Sequence, residues 1–174
     1  MSNSMSMDKI KSFIETYKEP LFNNRYMVSI NPVGSTSRSA LRELERLNVM
    51  AYSISIPRID ISQIEYSLGS KTIGVPSQEN VDDVTITFYN TGIEYSSIMN
   101  LKKAIFNNNI VAYYNDILVN ISVSIYNRAG EKIGTWVMQN CVLKDVGTIQ
   151  LSYDEATEVQ KFETTWSCLN LLYS

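Results

Sequence analysis

The stretch from Ile56 to Asn90 constrains the fold more than any other part of the sequence. It ends in a strict alternation in which Val84, Ile86 and Phe88 point to one side, the pattern of a strand with one buried face. Before this strand lies a long connection that contains apolar residues together with glycines and a proline, which are typical of turns: Ile64, Tyr66, Leu68, Gly69, Ile73, Gly74, Val75 and Pro76. A compact domain rarely contains so long a connection unless the connection has a function. Its apolar side chains would be unfavourable on the surface of a monomer, so the sequence predicts an arm that packs against another subunit.

The arm is expected to change its state on assembly. Residues from Gln63 to Gln78 are predicted to be mobile in a free subunit and buried in the assembly. The candidate interface residues are Ile64, Tyr66, Leu68, Lys71, Ile73, Val75 and Pro76. The apolar alternation shifts between Ile61 and Ile64, which predicts one extra residue, a β-bulge, in this strand. The alternative is that the arm folds back as an ordinary hairpin over its own domain.

The rest of the sequence is typical of an antiparallel β domain. Its 174 residues suffice for one domain, with residues 1–7 mobile and residues 8–174 folded. Helices are predicted at Asp8–Glu19 and Tyr95–Phe106, and strands at Arg25–Asn31, Asn48–Ile56, Val81–Tyr89, Ile117–Tyr126, Lys132–Leu143, Gly147–Tyr153 and Glu158–Leu171. Val33–Arg46 is predicted to be a loop in its first half and a helical turn or irregular loop in its second. These elements predict a mainly β fold, an antiparallel barrel or sandwich with one packed helix and a long extended arm.

The strand alternation also predicts the core. The residues on the apolar side of their strands are Val84, Ile86, Phe88, Ile121, Val123, Ile125, Phe162 and Trp166. Hairpin turns are predicted at Arg128–Glu131 and Asp154–Thr157, where turn-forming residues separate the strands.

The sequence contains little that could support catalysis. It has no histidine and none of the common phosphate-binding, dinucleotide-binding or serine hydrolase motifs. Asp82 and Asp83 are neighbours on a strand, so they point to opposite faces and cannot act as a catalytic pair. Cys141 and Cys168 are expected to be buried and unpaired, because a disulfide is not expected in a reducing compartment. The sequence therefore predicts no catalytic, cofactor or metal site, and an enzyme is not expected.

The sequence also gives no sign of membrane insertion. No apolar run approaches the roughly 20 residues that a membrane-spanning helix needs. The N-terminus lacks the basic and apolar segments of a signal peptide. The protein is therefore expected to be made in a cytosol and to have no membrane anchor.

Three stretches of the sequence have a recognisable pattern. The first is the strand RYMVSI with a later strand that ends in an Ile56-Pro57 step. The second is GSKTIGVPSQENVDDVTITFYN, in which a polar passage with glycine precedes an acidic strand start. The third and most specific is VLKDVGTIQLSYDEATEVQKFETTWSCLNLL, a strand, a turn and a second strand. Together they resemble the tail tube proteins of contractile-tailed bacteriophages, from Arg25 to Leu172, although the loop Val33–Arg46 and the N-terminal extension are longer than expected.

The resemblance implies a structural role. Such proteins form six-membered rings that stack into a hollow tube inside a contractile sheath, so the chain would belong to the virion tail and would be assembled in the host cytoplasm. Its partners would be further copies of itself and the tail sheath, baseplate and tape-measure proteins, with genomic DNA passing through unbound. The fold is shared with tube initiators and type VI secretion tube proteins, so an initiator or baseplate component is one alternative. The other is a monomeric β-barrel binding module with Tyr52, Tyr66 and Tyr89 on its ligand surface.

A tube of this kind needs an inner wall that does not hold DNA, because each Lys or Arg contact with a phosphate adds affinity. The charge is uneven: residues 1–60 contain eight basic and six acidic residues, and residues 61–174 contain seven and twelve. The inner wall is therefore expected to be neutral to acidic. The candidate wall residues are Thr85, Thr87, Asn120, Ser122 and Ser124. The alternative is that these polar faces meet solvent on the outside.

Overall fold

The computed structural model describes residues 25–107, 110–149 and 159–174. The strands in these ranges are β1 (Tyr26–Pro32), β2 (Ala51–Ile54), β3 (Ile59–Leu68), β4 (Lys71–Val81), β5 (Val84–Tyr89), β6 (Phe106–Asn107), β7 (Ile110–Val111), β8 (Val119–Tyr126), β9 (Lys132–Val146), β10 (Lys161–Ser167) and β11 (Asn170–Tyr173). The helices are α1 (Ser35–Ala40), α2 (Leu44–Val49), α3 (Ile93–Ile105) and α4 (Tyr114–Ile117). All of the strand pairs are antiparallel, so the predicted fold class is confirmed.

Two antiparallel sheets share the long strand β9. The strand order is β1-β8-β9-β10-β5-β2, and β11 also pairs with β9. The first part of β9 pairs with β8 and β11, whereas its last residues pair with β10. Side chains from β1, β8 and β9 meet those of β5 and β10 in one core. The shared strand thereby closes the two sheets around that core, as in a barrel.

Strand β9 passes from one sheet to the other at Asn140. This residue has a φ of 53°, in the left-handed region that asparagine tolerates better than most residues. Its backbone N–H donates to Oδ1 of Asn120 at 3.0 Å, next to a shift in the register between β8 and β9. On the other edge of β9, the strand pairing is interrupted at the same level, between the end of β10 and the start of β11. The pairing of β9 is therefore irregular along both of its edges at this corner.

A disulfide between Cys141 and Cys168 lies at this corner, and both residues are buried. Their predicted burial is confirmed, but the prediction that they are unpaired was wrong. The reason lies in the sheet: β9 pairs Val142 with Ser167, which makes the two cysteines the next cross-strand neighbours. Their separation of 27 residues in the sequence gives no sign of this proximity.

The predicted core is confirmed. Each of its members is at most 6% exposed: Val84, Ile86, Phe88, Ile121, Val123, Ile125, Phe162 and Trp166. Trp166 is the core residue of this set with a polar side-chain atom, and its indole N–H donates to the Thr164 hydroxyl at 2.9 Å. That hydroxyl in turn donates to the Ile86 carbonyl at 3.2 Å. A bulky indole is thus buried without leaving its donor unsatisfied.

Helix α3 packs on this core and corresponds to the predicted helix Tyr95–Phe106. Its buried apolar residues are three or four positions apart, the spacing of one helical face: Ile98, Leu101 and Ile105. Glu94 fixes its first turn, since this carboxylate is 1% exposed and accepts hydrogen bonds from the Thr91 N–H at 2.6 Å and the Thr91 hydroxyl at 2.7 Å. An acidic group at this position also complements the helix dipole.

Side chains link β1 to the segment that ends in β2. Asn48 Oδ1 accepts a hydrogen bond from the Ile30 N–H at 2.7 Å, and the Tyr26 hydroxyl donates to the Tyr52 carbonyl at 2.6 Å. Burial raises the pKa of Tyr26 above its ordinary value, and the nearby Tyr52 and Tyr89 hydroxyls raise it further. Because the Tyr26 hydroxyl is a donor here, only its protonated form can make this link.

Several predicted boundaries were wrong. The first half of Val33–Arg46 contains helix α1, where the buried Ser37 hydroxyl lies 2.9 Å from the Leu118 carbonyl. Composition alone could not show this contact, which spans 81 residues. The second half does form a helix, and α2 continues to Val49, so β2 begins only at Ala51.

The C-terminal half also differs from the prediction. The strand predicted from Ile117 begins at Val119, because α4 occupies Tyr114–Ile117. The strand predicted at Glu158–Leu171 is divided into β10 and β11. Residues 147–149 of the strand predicted at Gly147–Tyr153 are not in a strand. The remainder of that strand, the helix at Asp8–Glu19 and the turn at Asp154–Thr157 lie outside the described residues.

Candidate assembly surface

The predicted arm is a two-stranded hairpin formed by β3 and β4, with its turn at Gly69 and a φ of 63° there. Strands of 10 and 11 residues span about 30 Å. Every hairpin residue except Ser62 and Val81 is exposed, so the alternative in which it folds back over its own barrel is wrong for the described part of the chain. The apolar candidates for the interface are 44% to 64% exposed: Ile64, Tyr66, Leu68, Ile73 and Val75. Lys71 is exposed on the same face, next to Leu68, whereas Pro76 is exposed on the opposite face, next to Gln63.

The predicted bulge is present, but its extra residue lies on the other strand. Ser62 pairs with Gln78 and the next residue, Gln63, pairs with Pro76, so Ser77 on β4 is the unpaired one. Proline has no N–H to donate to a ladder, and it is tolerated in sheets at such bulges. Because β3 itself has no extra residue, its side chains keep alternating between the two faces of the hairpin. Its apolar residues therefore lie on one face up to Ile61 and on the other face from Ile64 onward.

The outer half of the hairpin is apolar on one face, which we call the tip face. Tyr66 pairs with Ile73 and Ile64 pairs with Val75, with Leu68 at the end of the same row. On the opposite face of this outer half, the Gln63 side chain covers Gly74 so closely that a Cβ at Gly74 would collide with its amide. The tip face is therefore the apolar side of the outer half, and most of the side chains on its reverse are polar.

The inner half of the hairpin is apolar on the reverse side, which we call the base face. Ile59 pairs with Val81, and Ile61 pairs with Glu79, on the face to which Gln63 also points. The polar residues of the inner half lie on the other side, where the Asn80 amide donates to the Ser62 hydroxyl at 3.2 Å. The hairpin thus carries two apolar patches on opposite faces.

A second exposed apolar cluster follows helix α3, and the sequence reasoning missed it. We call it the α3–α4 cluster, and its members are 54% to 84% exposed: Phe106, Ile110, Val111, Tyr113 and Tyr114. Two exposed lysines, Lys102 and Lys103, precede it in the last turn of α3. The run of apolar and aromatic residues after the asparagines at 107–109 was the available signal. The run reads like a strand, so nothing marked it as surface.

The predicted channel-wall residues lie on two different sheets. Thr85 and Thr87 are on β5, whereas Asn120, Ser122 and Ser124 are on β8. All five alternate with buried residues and point away from the core. Strands β9 and β10 lie between β8 and β5 in the strand order, so the two groups are not neighbours on one surface.

The tyrosines of the alternative binding surface do not line a cleft together. Tyr52 and Tyr89 meet edge to face at 5.0 Å, and the Lys161 ammonium lies 3.8 Å from the Tyr52 ring centre. Tyr66 belongs to the hairpin tip face. A cleft of about 260 Å³ between α3 and β9 and one beside β1 and α2 are both lined by other residues.

Some charged side chains of the described ranges pair with each other at the surface. Asp83 is paired with Lys144 in a salt bridge. No group of three His, Cys, Asp or Glu residues within 25–107, 110–149 and 159–174 could hold a metal ion. In the same ranges, no helix has the length and apolar character that crossing a bilayer requires.

Solved structures with a similar fold include chains of an extracellular contractile injection system and of the anti-feeding prophage. A chain of the PVC sheath-tube complex in the extended state, from an extracellular contractile injection system, is 18% identical with a TM-score of 0.66 and matches 98% of this chain and 99% of its own length. A chain from the PVC sheath/tube terminator has the same identity and TM-score over 90% of this chain and 98% of its own. A chain from the tube-terminating cap of the anti-feeding prophage is 18% identical with a TM-score of 0.64 over 90% of this chain and 92% of its own.

The sequence matches no model of a protein family and no curated protein sequence. The match to the sheath-tube chain nevertheless covers nearly the whole of both chains, so it includes the hairpin. The resemblance to tail tube proteins is therefore supported by the fold. This chain has the fold of chains found in the sheath-tube and tube-end structures of contractile injection systems.

Proposed function

We propose that this protein is the tube subunit of a contractile tail or injection system and has a structural, non-enzymatic role. The observation that carries the proposal is the hairpin β3–β4, which projects about 30 Å and exposes Tyr66, Leu68 and Ile73 on one face. An exposed apolar face of this kind marks a protein–protein contact. The shared fold with chains of sheath-tube complexes supports tube formation in particular.

The assembly we propose consists of six-membered rings stacked into a hollow tube. The tube lies inside a sheath, starts on a baseplate and encloses a tape-measure protein during assembly, and in a phage its channel passes the genome. Since chains from cap and baseplate structures share the fold, a subunit at the end of a tube is the second candidate. A tube subunit forms long polymers, whereas a tube-end subunit stops at single rings.

Electron microscopy of two matched variants tests this role. The variant Leu68→Asp/Ile73→Asp places charges on the tip face, and we expect it to fold but to form no tubes. The control Ser67→Asp/Thr72→Asp adds the same charges at a neighbouring pair on the polar reverse of the hairpin, and it should still form tubes. Circular dichroism shows that both are folded. Full-length tubes from the first variant would contradict the proposal.

For the channel wall we propose the β8 group, Asn120, Ser122 and Ser124. Their cross-strand neighbours on β1 are Asn31, Ser29 and Met27, so this surface is free of charge along both strands. The β5 group instead has Glu163 opposite Thr87 and Lys161 opposite Tyr89. An uncharged polar wall holds a polyanion least, because phosphate contacts with Lys and Arg supply the non-specific affinity.

Thiol labelling separates the two groups. The two native cysteines form a disulfide, so the introduced thiol of Ser122→Cys or Thr85→Cys is the one that reacts. In tubes, Ser122→Cys should react with a small maleimide but not with one carrying a long polyethylene glycol chain. Thr85→Cys should react with both in bare tubes. The opposite pattern would place the β5 group in the channel.

A further inference from the structure

The base face of the hairpin is apolar with an acidic margin. Ile59 and Ile61 are 42% and 57% exposed, so the described barrel does not cover them. Glu79 lies directly opposite Ile61, and Glu65 lies further out on the same face. Both carboxylates are exposed. An isolated two-stranded hairpin is only marginally stable, so this face needs a covering surface.

The α3–α4 cluster has the complementary character. Its apolar members include Phe106 and Val111, at 57% and 61% exposed, and Tyr113, at 84%. The exposed ammonium groups of Lys102 and Lys103 lie just before it. One surface of the chain is therefore apolar with an acidic margin, and another is apolar with a basic margin.

We propose that the base face of the hairpin docks on the α3–α4 cluster of a second copy of this chain. Ile59 and Ile61 would pack on the aromatic cluster, with Glu65 and Glu79 beside Lys102 and Lys103 of the neighbouring copy. An apolar centre with a polar rim is the usual anatomy of a protein interface. The two surfaces differ, so the contact is head-to-tail, and such contacts generate rings or filaments.

The docking leaves the tip face free, because that face points to the opposite side of the hairpin. Each hairpin would then lie between two copies, with its base on one and its tip on another. This arrangement rests on the proposed tube function and adds to it a specific pair of surfaces. It also explains why the bulge at Ser77 matters: it lies where the apolar residues pass from one face to the other.

Cross-linking tests the pairing directly. A chain with both Ile61→Cys and Val111→Cys should give a ladder of covalent multimers when assembled particles are oxidised and run on a denaturing gel without reductant. The control Ser67→Cys/Val111→Cys moves the first thiol to the polar outer half and should give monomers only. Tubes of the first variant that yield no ladder would overturn the docking and leave the tube function standing.

Charge exchange provides an independent test. The variant Glu65→Lys/Glu79→Lys should raise the protein concentration needed for assembly by about tenfold, since like charges then meet across the contact. Adding Lys102→Glu/Lys103→Glu to the same chain should restore assembly. Failure of this rescue in a folded protein would overturn the pairing. A wild-type chain that stays monomeric would contradict the proposed function itself, and the docking with it.

Discussion

In the barrel, β5 and β10 pair along their length, and their apolar residues Phe88, Phe162 and Trp166 meet in a closed core. In the hairpin, β3 and β4 pair just as fully, yet the apolar residues on both of their faces stay exposed. Both pairs of strands form the same kind of antiparallel backbone hydrogen-bond ladder. What differs is whether the described part of the chain covers the apolar side chains, which it does in the barrel core and does not do in the hairpin.

Each region also contains one irregularity that redirects side chains. In the barrel, the left-handed Asn140 bends β9 so that one strand serves two sheets. In the hairpin, the bulge at Ser77 keeps the strands paired while the apolar residues change faces. Local backbone irregularities therefore decide where the apolar side chains of each region point, towards the core in the first case and towards the exterior in the second.

The largest expected effect is a loss of core packing. Trp166→Ala should lower the free energy of unfolding by about 3–5 kcal/mol, because it leaves a cavity and removes the donor that pairs with Thr164. Urea unfolding followed by circular dichroism measures this. Tyr66→Ala on the hairpin is the matched control and should change the stability by less than about 0.5 kcal/mol. Equal losses in the two variants would show that the hairpin side chains stabilise the cooperative fold as much as the barrel core does.

The sequence predicted the barrel core because strict alternation in β5, β8 and β10 follows directly from the geometry of a half-buried strand. It predicted α3 for the same reason, since the spacing of Ile98, Leu101 and Ile105 fits one helical face. It also predicted the arm and the position along the arm at which the bulge lies. Local pattern is sufficient wherever one chain segment faces one continuous surface.

Features that depend on distant segments were not predictable in this way. The Cys141–Cys168 disulfide and the link from Ser37 to Leu118 arise from pairs 27 and 81 residues apart. The sequence of β3 alone could not show which strand carries the bulge, because the extra residue lies next to Pro76 on the partner strand. The α3–α4 cluster was missed since an apolar run looks the same whether its own chain or a neighbour covers it.

A smaller effect is expected at the corner of β9. Asn140→Ala should lower the free energy of unfolding by about 1 kcal/mol, because alanine is strained at a φ of 53°. Asn140→Gly removes the same side chain but adopts this conformation without strain, so it should retain more stability than the alanine variant. Thermal unfolding of the two variants gives the comparison. A glycine variant as unstable as the alanine variant would show that the side chain, rather than the backbone, holds the corner.

An effect of similar size concerns the link between β1 and β2, and it decreases at alkaline pH. The folded state raises the pKa of Tyr26 above its ordinary value of 10.0, because burial and the nearby Tyr52 and Tyr89 disfavour the charged form. The unfolded chain therefore releases this proton at a lower pH than the folded chain. The stabilisation is fully present below pH 10 and is lost as the pH rises through the folded pKa. Tyr26→Phe removes both the titration and the hydrogen bond to the Tyr52 carbonyl, so near pH 7 it should cost about 1 kcal/mol.

The difference in stability between wild type and Tyr26→Phe should shrink above pH 10, since the ionised tyrosine can no longer donate. Urea unfolding at intervals from neutral to alkaline pH measures it, and other tyrosines cancel in the difference. Tyr113→Phe, at a side chain that is 84% exposed, is the control and should follow the wild type throughout. A Tyr26→Phe difference that stays constant across this range would show that the link between β1 and β2 does not depend on the Tyr26 proton. The Asn48 contact and the core packing would then still stabilise this side of the barrel.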